Sequence, residues 1–333
     1  MSVLAIRDLQ VRFSTPDGTV AAVNNVNLSL EEGECVGIVG ESGSGKTQLF
    51  LGVMGLLAAN GRVTGSATYR GEELVGMKPK RLNQLRGADL AMIFQDSMTS
   101  LTPHLKIGRQ MTEVLRHHRG MADETARAKA LDMLNLVRIP EAARRLDQYP
   151  HELSGGMRQR VMIAMALLCE PVVLIADEPT TALDVTVQAQ ILDLLGELKR
   201  VTRAALVVIT HDLGVVAGLC DRVQVMYAGR FVETGPVEQI FAQPLHPYTL
   251  GLLGSMPRLD EARRGTLTAI PGQPPDLQRL PAGCKYQERC PFVFERCRQE
   301  DPALLAAGPG RAKACHLTEP PTLAAAAGRG EAA

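Results

Sequence analysis

The chain has 333 residues, of which 45% are hydrophobic and 22% charged, a balance ordinary for a folded protein and too apolar for a disordered one. Lysine plus arginine and aspartate plus glutamate stand at 36 each, and zero net charge argues against a surface made chiefly to hold nucleic acid. No cationic start precedes an apolar run at the N-terminus, so no signal peptide is expected. The longest apolar stretches, 161–169 and 172–176, fall far short of the roughly 20 residues of a spanning helix.

In chain order, residues 3–13 (VLAIRDLQVRF) read as a strand, and Asp17-Gly18 marks a turn. The apolar run 35–39 (CVGIV) is a short strand leading into a glycine-rich loop, and a helical pattern runs from about 47 to 57. Residues 90–94 (LAMIF) form another buried strand. From about 97 to 148 the pattern is helical, with no strand character. Strands resume at 172–176 (VVLIA), 205–209 (ALVVI) and 222–227 (RVQVMY), with helices between them. Short apolar strands alternating with helices predict an α/β domain with a partly parallel sheet and an inserted helical subdomain. After about Gly235 the sequence turns Pro-rich and irregular with no obvious core, and 321–333 reads as a disordered tail.

The segment Gly40-Glu41-Ser42-Gly43-Ser44-Gly45-Lys46-Thr47 fits G-x-x-x-x-G-K-[ST], with the required strand before it and helix after it. The glycines let the backbone curl so that successive N–H groups and a helix N-terminus face a phosphate. Lys46 reaches the β and γ phosphates, and Thr47 offers a hydroxyl to Mg²⁺. A strand ending in Asp177-Glu178 supplies two further carboxylates. Asp177 is expected to hold Mg²⁺ through water, and Glu178 to orient and deprotonate an attacking water. On their own, His211 after ALVVIT and Gln95 after LAMIF read only as polar residues closing strands.

Leu153-Ser154-Gly155-Gly156-Met157-Arg158-Gln159-Arg160 resembles the ABC signature LSGGQxQR, with Met157 in place of the commoner Gln. Ser154, Gly155 and Gly156 at a helix start offer a second phosphate-binding turn. The resemblance implies a head-to-tail dimer in which each signature closes over the γ-phosphate held by the other subunit. It also implies the fold: a P-loop, RecA-like ABC nucleotide-binding domain (1–96 and 151–235), a helical subdomain (97–150) and a small C-terminal extension (236–320). Gln95 then resembles the Q-loop glutamine that senses Mg²⁺. Thr181-Ala182-Leu183-Asp184 resembles the D-loop, and His211 the switch histidine that contacts the γ-phosphate. Phe13 stands where the family stacks an aromatic on adenine, with Val20 beneath the ring; a core strand position is the other reading. The implied chemistry is ATP hydrolysis with Mg²⁺.

IFQDSMTSLTPHLKIGRQ, HPYT at 246–249, IPG at 270–272 and GCKYQERCPFVFERC at 283–297 are similar to the oligopeptide/dipeptide/nickel branch of ABC importers, with Ser97 and Thr102 as departures. That similarity implies a second ATPase subunit, identical or related, and two transmembrane permease subunits fed by an extracellular or periplasmic solute-binding protein. It also implies a peripheral position at the cytoplasmic face of a bacterial inner membrane. No nucleic acid is expected as a partner. Nickel or glutathione import, and a soluble non-transport ABC ATPase, are the alternatives. Seven cysteines without a secretory signal argue against disulfides; Cys35, Cys169 and Cys220 read as buried thiols. Cys284, Cys290, Cys297 and Cys315 are numerous enough to ligate a [4Fe–4S] cluster, which the resemblance favours, or Zn²⁺ with His316 replacing Cys315.

Overall fold

The computed structural model describes residues 2–95, 100–181, 184–256 and 270–322. Its strands are β1 (Ser2–Thr15), β2 (Gly18–Glu31), β3 (Cys35–Val39), β4 (Gly61–Tyr69), β5 (Glu72–Glu73), β6 (Leu90–Ile93), β7 (Val173–Asp177), β8 (Ala205–Thr210), β9 (Arg222–Tyr227), β10 (Arg230–Pro236), β11 (Leu305–Ala306) and β12 (Ala312–Lys313). Its helices are α1 (Lys46–Val53), α2 (Pro79–Leu85), α3 (Ile107–Arg119), α4 (Asp123–Leu136), α5 (Ala142–Arg145), α6 (Gly155–Leu167), α7 (Val185–Thr202), α8 (Leu213–Leu219), α9 (Val237–Ala242), α10 (Pro247–Gly254) and α11 (Glu295–Gln299). Among the described residues, no helix is long and apolar enough to cross a membrane.

The chain divides into two compact units. The first comprises Met1–Ala5, Ser29–Cys35 and Thr68–Ile209. Its centre is a run of parallel strands. β6 pairs with β7 from Leu90↔Val173 to Ile93↔Ala176, and β7 with β8 from Val173↔Ala205 to Asp177↔Ile209. Every residue of β7 and β8 is buried, which is why both read as unbroken apolar runs rather than alternating ones. The helical stretch expected from 97 resolves into α3, α4 and α5; residues 96–99 lie outside the described residues. Ile107, Met111 and Leu115 on α3, and Ala126, Ala130 and Leu134 on α4, are buried at four-residue spacing. That spacing places each set on one stripe of its helix. Asp123 and Glu124 sit in the first turn of α4, where the helix dipole favours negative charge.

The second unit comprises Ile6–Leu28, Val36–Ala67 and Thr210–Ala333. Here β3 lies parallel to β9. β9 runs antiparallel to β10 with an irregularity between Phe231 and Glu233, and β12 and then β11 add to the edge of β10. β2, β4 and β10 are strands for which the sequence gives no clear signal: β4 carries Gly61 and Gly65, and β2 carries Asn24, Asn25 and Asn27. Helix α1 ends at Val53 instead of near 57, because Gly52 and Gly55 weaken the helix and the Leu56 N–H closes onto the Leu51 carbonyl at 2.8 Å. Cys35 and Cys169 are buried, whereas Cys220 is half-buried.

The stretch after Gly235 has a core after all. Tyr248 on α10 and Tyr286 pack with Tyr227 of β9, at ring-centroid separations of 4.6, 5.2 and 5.4 Å. Val232, Val237 and Ile240 join the same cluster. Its polar counterpart is Glu233, which is fully buried. The carboxylate accepts the Leu245 and His246 N–H groups at 2.7 and 2.9 Å and pairs with Arg311 at 3.0 Å. Burial nonetheless pushes the Glu233 carboxyl above the usual range, and those donors oppose the push. The expected tail is outside the described residues from 323 onward.

Candidate functional site

The phosphate loop leaves β3 at Gly40 and enters α1 at Lys46. Gly45 precedes the helix with φ 101°, and a Cβ there would lie 2.2 Å from the Ala22 carbonyl oxygen. Only glycine passes at that point. The Gly229 N–H, from the β9–β10 turn, donates to the Ser44 carbonyl at 2.9 Å and holds the loop from its other side. The Lys46 ammonium donates to the Gly40 and Glu41 carbonyls at 2.7 and 2.9 Å. Ser42 and Gly43 are exposed and Thr47 half-buried. The Ser44 hydroxyl is buried with no protein hydrogen-bond partner. An orphaned buried hydroxyl is costly unless something accepts or donates to it, and a phosphate oxygen would satisfy it.

Three contacts to Glu41, an unspecified position of the motif, are absent from the sequence reading. Its N–H donates to Tyr248 Oη at 2.8 Å, and its carboxylate takes both guanidinium branches of Arg289 at 2.6 and 2.9 Å. Tyr248 lies in HPYT and Arg289 in the 283–297 segment, but nothing local pairs either with Glu41, more than 200 residues away. Phe13, half-buried on β1, packs against Gly61, whose added Cβ would come within 2.7 Å of the ring. Val20 is half-buried, and His211 is exposed just beyond the end of β8.

In the first unit, Asp177 closes β7 and is 2% exposed. Glu178 follows with φ 45°, an unfavourable backbone for a non-glycine residue, held by its N–H donating to the Ile209 carbonyl at 2.8 Å. Glu178 Oε2 accepts from Gln95 Nε2 at 2.9 Å and from Thr181 Oγ1 at 2.8 Å, so two separately identified motif residues meet at one carboxylate. Gln159 at the end of the signature reaches the Pro179 carbonyl at 2.8 Å and fixes the loop that carries Glu178.

Ser154 and Asp184 are both helix N-caps, accepting the Met157 and Val187 N–H groups at 3.3 and 3.0 Å. Each therefore has a structural task beside any ligand contact. Gly155 faces open space, whereas a Cβ on Gly156 would meet Val187 at 2.8 Å. Ala182 and Leu183 of the D-loop segment lie outside the described residues.

Cys284, Cys290, Cys297 and Cys315 come together in the extension, where the Cys284 N–H donates to the Cys297 carbonyl at 2.8 Å. Burial, reinforced by the neighbouring thiols, pushes Cys284 to about 11 and Cys290 to about 12. Burial also raises Cys315. Among the described residues, however, no group of three or more His, Cys, Asp or Glu is set to hold a metal ion. Cys315 Sγ accepts the Leu317 N–H, and His316 lies 3.1 Å from the Glu300 carbonyl. The expected cluster therefore has no preformed ligand set among the described residues, and burial favours the protonated form of Cys284, Cys290 and Cys315. A cavity of about 320 Å³ nearby is lined by Tyr227, His246 and Tyr286. Three of its charged groups are already matched, Asp301 pairing with Arg230 and Lys285.

Residues 23–181 match the ABC transporter family, and residues 232–297 match the oligopeptide/dipeptide transporter C-terminal region. The oligopeptide transport ATP-binding protein OppD of Salmonella typhimurium is 57% identical over 313 residues, which cover 94% of this chain and 93% of that protein. The dipeptide transport ATP-binding protein DppD of Bacillus subtilis is 50% identical over 319 residues, 95% of each chain. Among solved structures, the ATP-binding cassette MJ0796, dimeric and bound to ADP and Pi, matches with a TM-score of 0.64 at 29% identity. That match covers 70% of this chain and 98% of the other.

Proposed function

The chain belongs to the oligopeptide/dipeptide transporter group of ABC ATP-binding proteins, and we propose that it hydrolyses ATP to drive uptake of di- or oligopeptides through a membrane permease. The phosphate loop carries the ATP half of this reading: its buried, unpartnered Ser44 hydroxyl and its lysine at a helix N-terminus suit a polyphosphate. The match of residues 232–297 supports the solute class.

The residues then take the roles their motifs assign. Ser42, Gly43, Ser44, Gly45 and Lys46 bind phosphate. Glu178 accepts a proton from the attacking water, with Gln95 and Thr181 orienting the carboxylate. His211 contacts the γ-phosphate, and Phe13 stacks on adenine. Ser154, Gly155, Gly156 and Asp184 face the nucleotide of a second ATPase subunit. Thr47, Gln95 and Asp177 are the residues that would hold Mg²⁺, whose charge would offset that on the transferred phosphoryl group. The partners are that second subunit, two permease subunits and an external solute-binding protein. The chain sits on the cytoplasmic face of the membrane.

The test is uptake by the complete transporter in proteoliposomes. A labelled tripeptide accumulates inside only when ATP and the binding protein are present. Accumulation of nickel or glutathione but not peptide overturns the solute class, and uptake indifferent to ATP overturns the whole reading.

The four late cysteines remain the place for an iron–sulfur cluster, or for Zn²⁺ with His316. The observation supporting this is their convergence in one part of the extension, Cys297 buried and the others half-buried, and binding would need the thiols to lose their protons. Iron and acid-labile sulfide near stoichiometry in anaerobically purified protein are expected, with a visible absorption band. Protein free of iron and zinc rules both out.

A further inference from the structure

The phosphate loop is gripped by the C-terminal extension. Glu41 is held at each of its polar groups: its N–H by Tyr248 Oη, its carbonyl by Lys46 and its carboxylate by the fork of Arg289. The Arg289 side chain is 4% exposed, and its Nε donates to the Pro271 carbonyl at 2.8 Å while Tyr227 Oη lies at 3.4 Å. Both the guanidinium and the phenol thus stand in fixed positions, set by the tyrosine cluster, before they touch the loop. A bidentate pair fixes orientation as well as distance.

The charge matters as much as the geometry. Glu41 places a half-buried carboxylate on a loop whose task is to receive phosphate oxygens, and like charges repel. Arg289 cancels that charge and draws the carboxylate toward the extension.

We propose that Arg289, assisted by Tyr248, is a positioning residue for ATP binding: it neutralises Glu41 and holds the phosphate loop in its binding form, so that the extension governs nucleotide affinity. This rests on the ATP-site reading above. It gives the extension a role in the ATPase that requires neither a metal cluster nor a solute.

The experiment measures ATP turnover of the assembled transporter as a function of ATP concentration. Arg289→Met raises KM for ATP about tenfold, while kcat at saturating ATP stays within about twofold. Adding Glu41→Gln to Arg289→Met removes the stranded charge and brings KM at least half-way back on a logarithmic scale. Arg289→Lys keeps the charge, loses the fork and falls between. An unchanged KM in Arg289→Met, or a raised KM that Glu41→Gln does not relieve, overturns the proposal. Should Arg289→Met not fold, Arg289→Lys and Tyr248→Phe carry the test, each expected to raise KM, and wild-type KM in both overturns it. If the wild-type complex turns over no ATP, it is the underlying site reading that fails.

Discussion

Glu178→Gln is expected to bind ATP as the native chain does and to lower turnover by about 10²–10⁴-fold, the usual worth of a general base. Glutamine keeps the size of the side chain and can still accept the Gln95 and Thr181 hydrogen bonds through its carbonyl oxygen. What it loses is basicity. The backbone at Glu178 sits at φ 45° in either variant, so a change in loop shape is not expected. The measurement pairs steady-state phosphate release with equilibrium binding of labelled ATP in the assembled transporter. Wild-type turnover in the variant removes Glu178 from the base role. Lost binding with lost turnover would show that the carboxylate mainly holds the loop together.

Acidification should unfold the chain earlier than its carboxylates alone would dictate, because of His246. The ring is 1% exposed, and its Nδ1 accepts the Tyr248 N–H at 3.0 Å, which demands the neutral tautomer. Burial, with a smaller contribution from Lys313, lowers its pKa from 6.5 to about 3. A folded pKa below the unfolded one means that the unfolded chain binds the proton more tightly. The stabilisation is therefore complete above about pH 6.5 and is lost as pH falls toward 3. The full shift corresponds to roughly 4–5 kcal/mol, a large share of a typical domain's stability. Glu233 works in the opposite sense, since its raised pKa makes the folded state the better proton acceptor just above the ordinary carboxyl range. The comparison is thermal melting from about pH 7.5 to about pH 4.5 for the native chain and for His246→Gln, whose amide does not titrate. The native midpoint should fall more steeply below pH 6.5; parallel curves would mean that the proton is accommodated without loss.

Much of the nucleotide-binding machinery is legible in the sequence because it is local. A phosphate loop needs its glycines, lysine and threonine within eight consecutive residues, and a helix start needs its cap within three. β3, β7 and β8 appear at nearly their observed bounds, since strands buried on both faces leave apolar runs, and β9 does so despite Arg222 and Gln224. The half-exposed β2 and β4, with their glycines and asparagines, leave no such trace.

The sequence alone determined the ATP-binding motifs, the α/β class and the family resemblance, all of which rest on short spacings that the backbone geometry itself requires. Only the tertiary structure decided that Gln95 and Thr181 meet on Glu178, that a tyrosine cluster gives the extension a core, and that Arg289 holds the Glu41 of the phosphate loop. Those contacts join residues up to 248 positions apart. Their partners are chosen by burial and charge after the chain has closed on itself, so a local motif can mark each residue without marking what it pairs with.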